Sequence, residues 1–140
     1  MLTGVSMKSR TYRFGVQGLL SILAAIFIFA SAPAGAATIV ALGASNTYGK
    51  GVARNQAYPA QLEAILRAKG ANVRVVNAGI NGDTTAGMLQ RLDRTVPNGT
   101  SAVILQPGGN DRRKGSPDQT SEIQSRLRAR GIPVIMIRGQ

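Results

Sequence analysis

Four short apolar segments recur along this chain, and the first three are each followed by a loop of glycine and polar residues. They occupy residues 38–42, 73–76, 102–105 and 132–137. Continuous aliphatic runs of this length, separated by amphipathic segments, are typical of parallel strands that helices cover on both faces. The sequence therefore predicts an α/β fold with the element order β-α-β-α-β-α-β.

Three segments with helical periodicity lie between the predicted strands. The first covers residues 55–69 and has Pro59 in its first turn. The second begins with Asp83 or Thr84 as its cap. Its apolar residues recur at intervals of four, at Met88, Leu92 and Val96. The third begins at residues 116–119, Ser-Pro-Asp-Gln, where a capping box coincides with proline in the first helical position.

The loops after the first three predicted strands should emerge at one edge of the sheet, because the crossovers between parallel strands are all right-handed. Ser45, the segment 79–83 and Asn110 are then expected to converge there. Ligand sites of open α/β sheets form at this edge, outside the carboxyl ends of the strands.

Ser45 is the candidate nucleophile at this edge. A serine hydroxyl can attack a carbonyl carbon when a base removes its proton, and the developing oxyanion needs two or three hydrogen-bond donors. The backbone N–H groups of Ser45 and Gly82 and the amide of Asn110 can supply them, and a side chain at position 82 would block approach. Each residue alone is common in turns or caps, so the prediction depends on their placement after three successive strands.

The N-terminal 36 residues have the pattern of a secretory signal peptide. Lys8, Arg10 and Arg13 precede the apolar stretch 19–30, and Ala34-Gly35-Ala36 forms a small-x-small cleavage pattern. Met7 is an alternative start. An uncleaved membrane anchor is the other interpretation, but the apolar stretch is short of the roughly 20 residues that span a bilayer. We expect residues 37–140 to be exported to the periplasm or secreted, with no stable membrane span after cleavage.

Composition excludes several classes of function. The whole chain has a net charge of +11, and residues 37–140 hold fourteen basic and six acidic residues, or +8. Residues 112–114 and the arginines at 126, 128 and 130 are basic, yet no aromatic residues interleave with them for stacking, so we predict a solvated surface and no nucleic-acid partner. The chain has no cysteine, which excludes disulfides and thiolate metal sites, and no histidine.

The glycines after the first strand do not form a phosphate-binding motif. Five residues separate Gly43 from Gly49, whereas a P-loop has four, and Gly51 follows Lys50 where that motif requires Ser or Thr. No G-x-G-x-x-G follows the strand either. The sequence therefore predicts no nucleotide site.

Three blocks together resemble the SGNH hydrolases, the GDSL-type lipases and esterases, and among them the small periplasmic lysophospholipases and acyl-CoA thioesterases. The blocks are residues 43–46 (GASN), 77–84 (NAGINGDT) and 108–111 (GGND). The G-x-N-D block is specific, and the resemblance covers nearly all of residues 38–137. It implies a three-layer α/β/α sandwich of flavodoxin-like arrangement. Ser45 would be the nucleophile, and Gly82 and Asn110 would complete the oxyanion hole. The implied substrates are carboxylic esters, thioesters or lysophospholipids, with no metal or cofactor.

Two departures from the family pattern bear on activity. Ala44 stands where GDSL has aspartate, which is not the triad acid. The family's D-x-x-H block, which supplies the acid and base, has no counterpart before Gln140. We therefore expect a C-terminally truncated hydrolase domain over residues 37–140 with weak or no activity. The last strand and helix would also be missing, leaving an exposed sheet edge and an apolar patch prone to aggregation.

Several alternatives remain open from the sequence. Asp83 and Asp111 are candidate substitute bases, but capping of the adjacent turns accounts for them equally well. The chain could instead be a non-catalytic remnant that binds acyl ligands or anionic envelope surfaces, or a signal-anchored interaction protein. The sequence predicts no oligomeric state.

Overall fold

The computed structural model describes residues 35–137, which form a parallel four-stranded sheet. The strands are β1 (Ala37–Gly43), β2 (Val73–Gly79), β3 (Ala102–Gln106) and β4 (Val134–Met136), in the order β2-β1-β3-β4. From β1 the chain crosses first to β2 on one side, and then back past β1 to β3 on the other. The loops after β1 and β3 therefore diverge and leave a crevice between them, as in flavodoxin-like sheets.

The helices occupy the connections. They are α1 (Ser45–Tyr48), a 3-10 turn (Arg54–Gln56), α2 (Tyr58–Ala68), α3 (Thr85–Gln90), α4 (Leu92–Thr95), α5 (Asn110–Lys114) and α6 (Thr120–Ala129). The short helices α1 and α5 each begin directly after a strand and its loop. Sequence periodicity did not predict either, because one helical turn is too short to show an apolar repeat.

Helices cover both faces of the sheet. On one face, Tyr58, Leu62 and Leu66 of α2 pack on Ala41, Val73 and Val75 of the strands. On the other face, α3, α4 and α6 pack on β1 and β3. That larger core consists mainly of Val40, Leu42, Met88, Leu92, Val96, Val103, Leu105, Ile123 and Leu127. The predicted three-layer α/β/α fold with a parallel sheet is confirmed.

Strand β2 is three residues longer than the sequence predicts. Asn77, Ala78 and Gly79 continue the parallel register opposite residues 41–43, although Asn-Ala-Gly has the composition of a loop. A β carbon on Gly79 would clash with the backbone nitrogen of Tyr48. Glycine at this position therefore lets α1 lie directly against the end of β2.

The second predicted helix is interrupted, although its apolar spacing is correct. Thr84 caps it, its Oγ1 accepting a hydrogen bond from Gly87 N at 3.1 Å. The three apolar residues predicted for its buried face are all at most 1% exposed. At Arg91 (φ −102°, ψ 5°) the helix divides into α3 and α4. The prediction of one continuous helix is therefore wrong.

The third predicted helix begins later than its capping box indicates. Helix α6 starts at Thr120, and the Asp118 carboxylate accepts a hydrogen bond from Thr120 N at 2.8 Å. Hydrogen bonds from Thr120 hold the pKa of Asp118 below its ordinary value. Gln119 N donates instead to Thr85 Oγ1 at 2.7 Å. Because these local bonds occupy the turn, the predicted box at residues 116–119 does not form.

Residues 1–34, which include nearly all of the predicted signal peptide, lie outside the described residues. Strand β1 begins at Ala37, directly after the predicted cleavage position. Within residues 35–137, no helix has the length and apolar character needed to cross a membrane.

Strand β4 lies at one end of the described sheet and exposes an apolar side chain. It is three residues long, pairs with β3, and leaves Ile135 53% exposed. An edge strand with unpaired backbone groups and an apolar surface is a site at which chains associate through strand pairing. The sequence-based expectation of aggregation therefore has a definite location to test.

Ile135→Lys is expected to reduce aggregation of the 140-residue chain, measured by light scattering over a concentration series. A lysine on an edge strand opposes pairing with a second chain. The matched control is Ile65→Lys, because Ile65 is also 53% exposed but belongs to helix α2 and not to a strand. Equal suppression by both substitutions would mean that added charge, and not the β4 edge, controls association.

Candidate active site

Ser45 lies at the first position of α1, immediately beyond the carboxyl end of β1, and is half-buried. The helix is fixed by Thr47, a fully buried residue whose Oγ1 donates to Gln106 Oε1 of β3 at 2.8 Å. Ala44 precedes it, is 3% exposed, and provides no side-chain cap. The serine is therefore positioned by backbone and by the Thr47–Gln106 bond, without the side chain at position 44.

Gly82 contacts Ser45 directly. Its backbone N–H donates to Ser45 Oγ at 3.1 Å. Gly82 has φ +76°, a left-handed conformation that residues with a β carbon rarely adopt. A β carbon there would meet only Lys114 Nζ, at 3.8 Å. Within the described chain, the backbone conformation is therefore what requires glycine at this position.

Asn110 lies at the first position of α5 and is 5% exposed. Its Nδ2 donates to the carbonyl oxygen of Asp83 at 2.7 Å, and its Oδ1 accepts from Arg113 Nη2 at 2.5 Å. A cation on the oxygen side and a carbonyl on the nitrogen side fix the orientation of the amide. Nδ2 carries a second hydrogen that neither of these bonds uses.

The structure thus brings the three predicted residues together. Gly82 bonds to Ser45, Asn110 bonds to the residue after Gly82, and Ser45 and Asn110 line one cavity of about 460 Å³. The cavity lies beyond the ends of β1 and β3. Its lining residues are Ala44, Ser45, Asn46, Gln106, Pro107, Gly108, Gly109, Asn110, Arg112 and Arg113. The cavity therefore occupies the crevice that the strand order creates.

A buried ion pair lies beneath these residues. Arg91 and Asp83 are 6% and 11% exposed, and both Nε and Nη2 of the arginine lie 2.9 Å from Asp83 Oδ2. Arg91 Nη2 also donates to the carbonyl oxygen of Gly43 at 3.3 Å. Sequence reasoning missed this arginine. The available signal was its position three residues after Met88 and next to Leu92, on the apolar side of the predicted helix.

The two candidate substitute bases both have structural partners. Asp83 is held by Arg91, and Asp111 Oδ1 accepts a hydrogen bond from Thr85 N at 2.9 Å. Neither carboxylate is hydrogen-bonded to Ser45. Among residues 35–137, the Ser45 hydroxyl accepts the bond from Gly82 but has no acceptor for its own proton. The capping interpretation of both aspartates is therefore the one that the geometry favours.

The basic block at residues 112–114 differs in part from the solvated surface that the sequence predicts. Its side chains are exposed, yet Arg113 bonds to Asn110, and Lys114 Nζ donates to the carbonyl oxygen of Gly82 at 2.6 Å. Arg112 lines the cavity.

The described chain has no group of three His, Cys, Asp or Glu side chains placed to hold a metal ion.

Comparison with known proteins identifies the family. The model of the GDSL-like lipase/acylhydrolase family matches residues 41–139. The chain belongs to this family. Esterase TesA of Pseudomonas aeruginosa is 34% identical over 110 residues, which cover 74% of this chain and 55% of TesA. An arylesterase of Vibrio mimicus is 28% identical, over 82% of this chain and 60% of that protein.

Solved structures of GDSL-like relatives have the same fold. AlinE4, a SGNH-hydrolase family esterase, is 35% identical with a TM-score of 0.67, over 75% of this chain and 60% of AlinE4. A crystal structure of TesA gives 33% identity and a TM-score of 0.60, over 71% of this chain and 58% of that one. The chain spans a little over half the length of the curated relatives it matches.

Arg91→Met is expected to lower the free energy of unfolding by about 3–5 kcal/mol, because removing one partner leaves the buried Asp83 carboxylate unpaired. Urea denaturation followed by circular dichroism measures the change. The matched control is Arg94→Met, because Arg94 is an exposed residue of α4, and we expect a change within about 0.5 kcal/mol. If both substitutions cost the same, the ion pair does not stabilise the fold.

Proposed function

We propose that this chain carries the nucleophile and oxyanion hole of an ester hydrolase, with Ser45 as the nucleophile. The observation that carries the proposal is the hydrogen bond from Gly82 N to Ser45 Oγ, beside a cavity that Asn110 also lines. The names of TesA, the Vibrio mimicus protein and AlinE4 as esterases support this chemistry. The substrates we propose are carboxylic esters or thioesters, including lysophospholipids.

The proposed reaction proceeds through an acyl-Ser45 intermediate. Ser45 Oγ attacks the carbonyl carbon, and the oxygen of the tetrahedral intermediate takes the negative charge. The N–H groups of Ser45 and Gly82 and the second Nδ2 hydrogen of Asn110 stabilise this oxyanion. Each such donor typically lowers the barrier by about 3–4 kcal/mol. Collapse breaks the bond from the carbonyl carbon to the ester oxygen or thioester sulfur and expels the alcohol or thiol, which takes the proton that Ser45 gave up. Water then cleaves the acyl-serine to a carboxylic acid and restores the Ser45 hydroxyl.

This mechanism requires an acceptor for the proton of Ser45. Nucleophilic attack requires a base within hydrogen-bond reach of the hydroxyl. The 140 residues contain no histidine, and no described residue accepts the Ser45 proton. We therefore propose that the chain, as this sequence gives it, hydrolyses esters at close to the background rate.

Export is part of the proposal. Residues 1–36 have the signal-peptide pattern, and cleavage after Ala36 would leave β1 complete from Ala37. We propose that residues 37–140 act in the periplasm or outside the cell.

The second candidate function is non-catalytic binding of acyl ligands or anionic surfaces. The missing proton acceptor at Ser45 and the basic residues at the cavity favour it.

The 140-residue chain is expected to hydrolyse p-nitrophenyl butyrate at a rate within about twofold of its Ser45→Ala variant, because no base activates the serine. Release of p-nitrophenol, followed by absorbance, measures both rates. Robust turnover that is lost in Ser45→Ala would show that the chain activates Ser45 without a histidine.

A chimera that appends a C-terminal segment with the family's D-x-x-H block is expected to gain at least about 100-fold in Ser45-dependent turnover, since a positioned general base contributes on the order of 10²–10⁴. In the chimera, Asn110→Ala should lower kcat by about 10²–10³, the effect of removing one oxyanion donor. A chimera that folds, as judged by circular dichroism, but stays at background would refute the hydrolase proposal.

A further inference from the structure

We propose that the cavity beside Ser45 selects esters that carry an anionic oxygen group, a phosphate or a carboxylate, and that Arg112 binds this group. The inference rests on the proposed hydrolase function and names its substrate class. Its basis is Arg112 itself, whose side chain is the one in the basic block, residues 112–114, without a hydrogen-bond or ion-pair partner in the described chain.

Arg112 is exposed and lines the cavity together with Ser45. Its two neighbours are engaged, since Arg113 bonds to Asn110 Oδ1 and Lys114 to the Gly82 carbonyl oxygen. Within residues 35–137, the Arg112 side chain has no hydrogen bond and no ion pair, and its backbone carbonyl is engaged by Gly115 N at 3.4 Å. A guanidinium at a cavity wall, with all its donors available, is suited to bind a ligand.

No carboxylate competes for Arg112 at the cavity. None of the ten lining residues is acidic. The nearby carboxylates are occupied, because Asp83 pairs with Arg91 and Asp111 accepts a bond from Thr85 N. Two arginines at the wall and Lys114 beside Gly82 therefore leave the cavity with an excess of positive charge.

The other basic cluster of the chain is different. On α6, Arg126 pairs with Glu122 at 2.8 Å, and directly after the helix Arg130 Nη1 lies 3.5 Å from Asp93 Oδ1. Two of its three arginines are thus already matched by carboxylates. Arg128 is exposed, its side chain has no partner among residues 35–137, and it does not line the cavity. It provides a control of equal charge.

Guanidinium chemistry identifies the ligand class. The planar fork of arginine donates two parallel hydrogen bonds to phosphate or carboxylate oxygens, which neither an ester carbonyl nor an alcohol can accept in the same way. A cavity of about 460 Å³ is within the usual range for small-molecule sites. It has room for a short acyl ester together with its charged group.

The test measures binding of three probes with the same chain length to the 140-residue chain: octyl phosphate, octanoate and neutral 1-octanol. Isothermal titration at low salt, below micelle formation, gives each Kd. We expect at least one anionic probe to bind more tightly than octanol. Arg112→Gln should weaken that binding by about tenfold, the size of one charge-assisted hydrogen bond, and leave octanol unchanged. Arg128→Gln should change no Kd by more than about twofold.

The outcomes separate the sources of the anion and the two proposals. Tighter binding of octyl phosphate assigns phosphate-bearing esters, and tighter binding of octanoate assigns carboxylate-bearing esters. Equal Kd values for wild type and Arg112→Gln, or equal losses in Arg112→Gln and Arg128→Gln, overturn the Arg112 assignment. If Arg112→Gln weakens anion binding while the chimera shows no Ser45-dependent turnover, the anion site stands and the hydrolase proposal fails. If the chimera shows Ser45-dependent turnover but Arg112→Gln does not change anion binding, the hydrolase proposal stands and the anion site fails.

Discussion

The buried ion pair between Arg91 and Asp83 joins the parts of the chain from which the candidate site is built. Arg91 reaches the carbonyl at the end of β1, and Asp83 belongs to the loop after β2. The Asp83 carbonyl in turn accepts the amide of Asn110, which follows β3. Burial of two charges is costly unless their hydrogen bonds are satisfied, and the groups that satisfy them here link the loops after β1 and β2 directly and the loop after β3 through the Asp83 carbonyl.

The contacts of this ion pair also account for the positions of the Gly82 N–H and the Asn110 amide in the candidate site. Gly82 and Asp83 are adjacent, so holding Asp83 also places the Gly82 N–H at Ser45 Oγ. Arg113 fixes the opposite side of the Asn110 amide. In the proposed oxyanion hole, donors that are already oriented before substrate arrives would need no reorganisation when negative charge develops.

The sequence predicted what depends on local pattern. Aliphatic runs gave the parallel strands, and the placement of Ser45, Gly82 and Asn110 after three of them predicted their convergence. Prediction from the sequence failed where a tertiary contact overrides the local preference of the residues. Residues 77–79 pair with β1 despite their loop-like composition, and the second helix divides at Arg91. Which carboxylate an arginine binds is a property of the fold and is not readable from spacing.

The proposed nucleophile and the proposed oxyanion donors are held by contacts within residues 35–137, whereas the Ser45 proton has no acceptor among those residues. Binding an ester and polarising its carbonyl need only the proposed oxyanion donors and the cations at the cavity. Activating Ser45 needs, in addition, an acceptor for its proton. These two capacities are physically separable. The Arg112 side chain lies on the wall of the cavity and, within residues 35–137, makes no hydrogen bond to Ser45, Gly82 or Asn110. The proposed binding of an anionic ligand by Arg112 is therefore independent of whether a base activates Ser45.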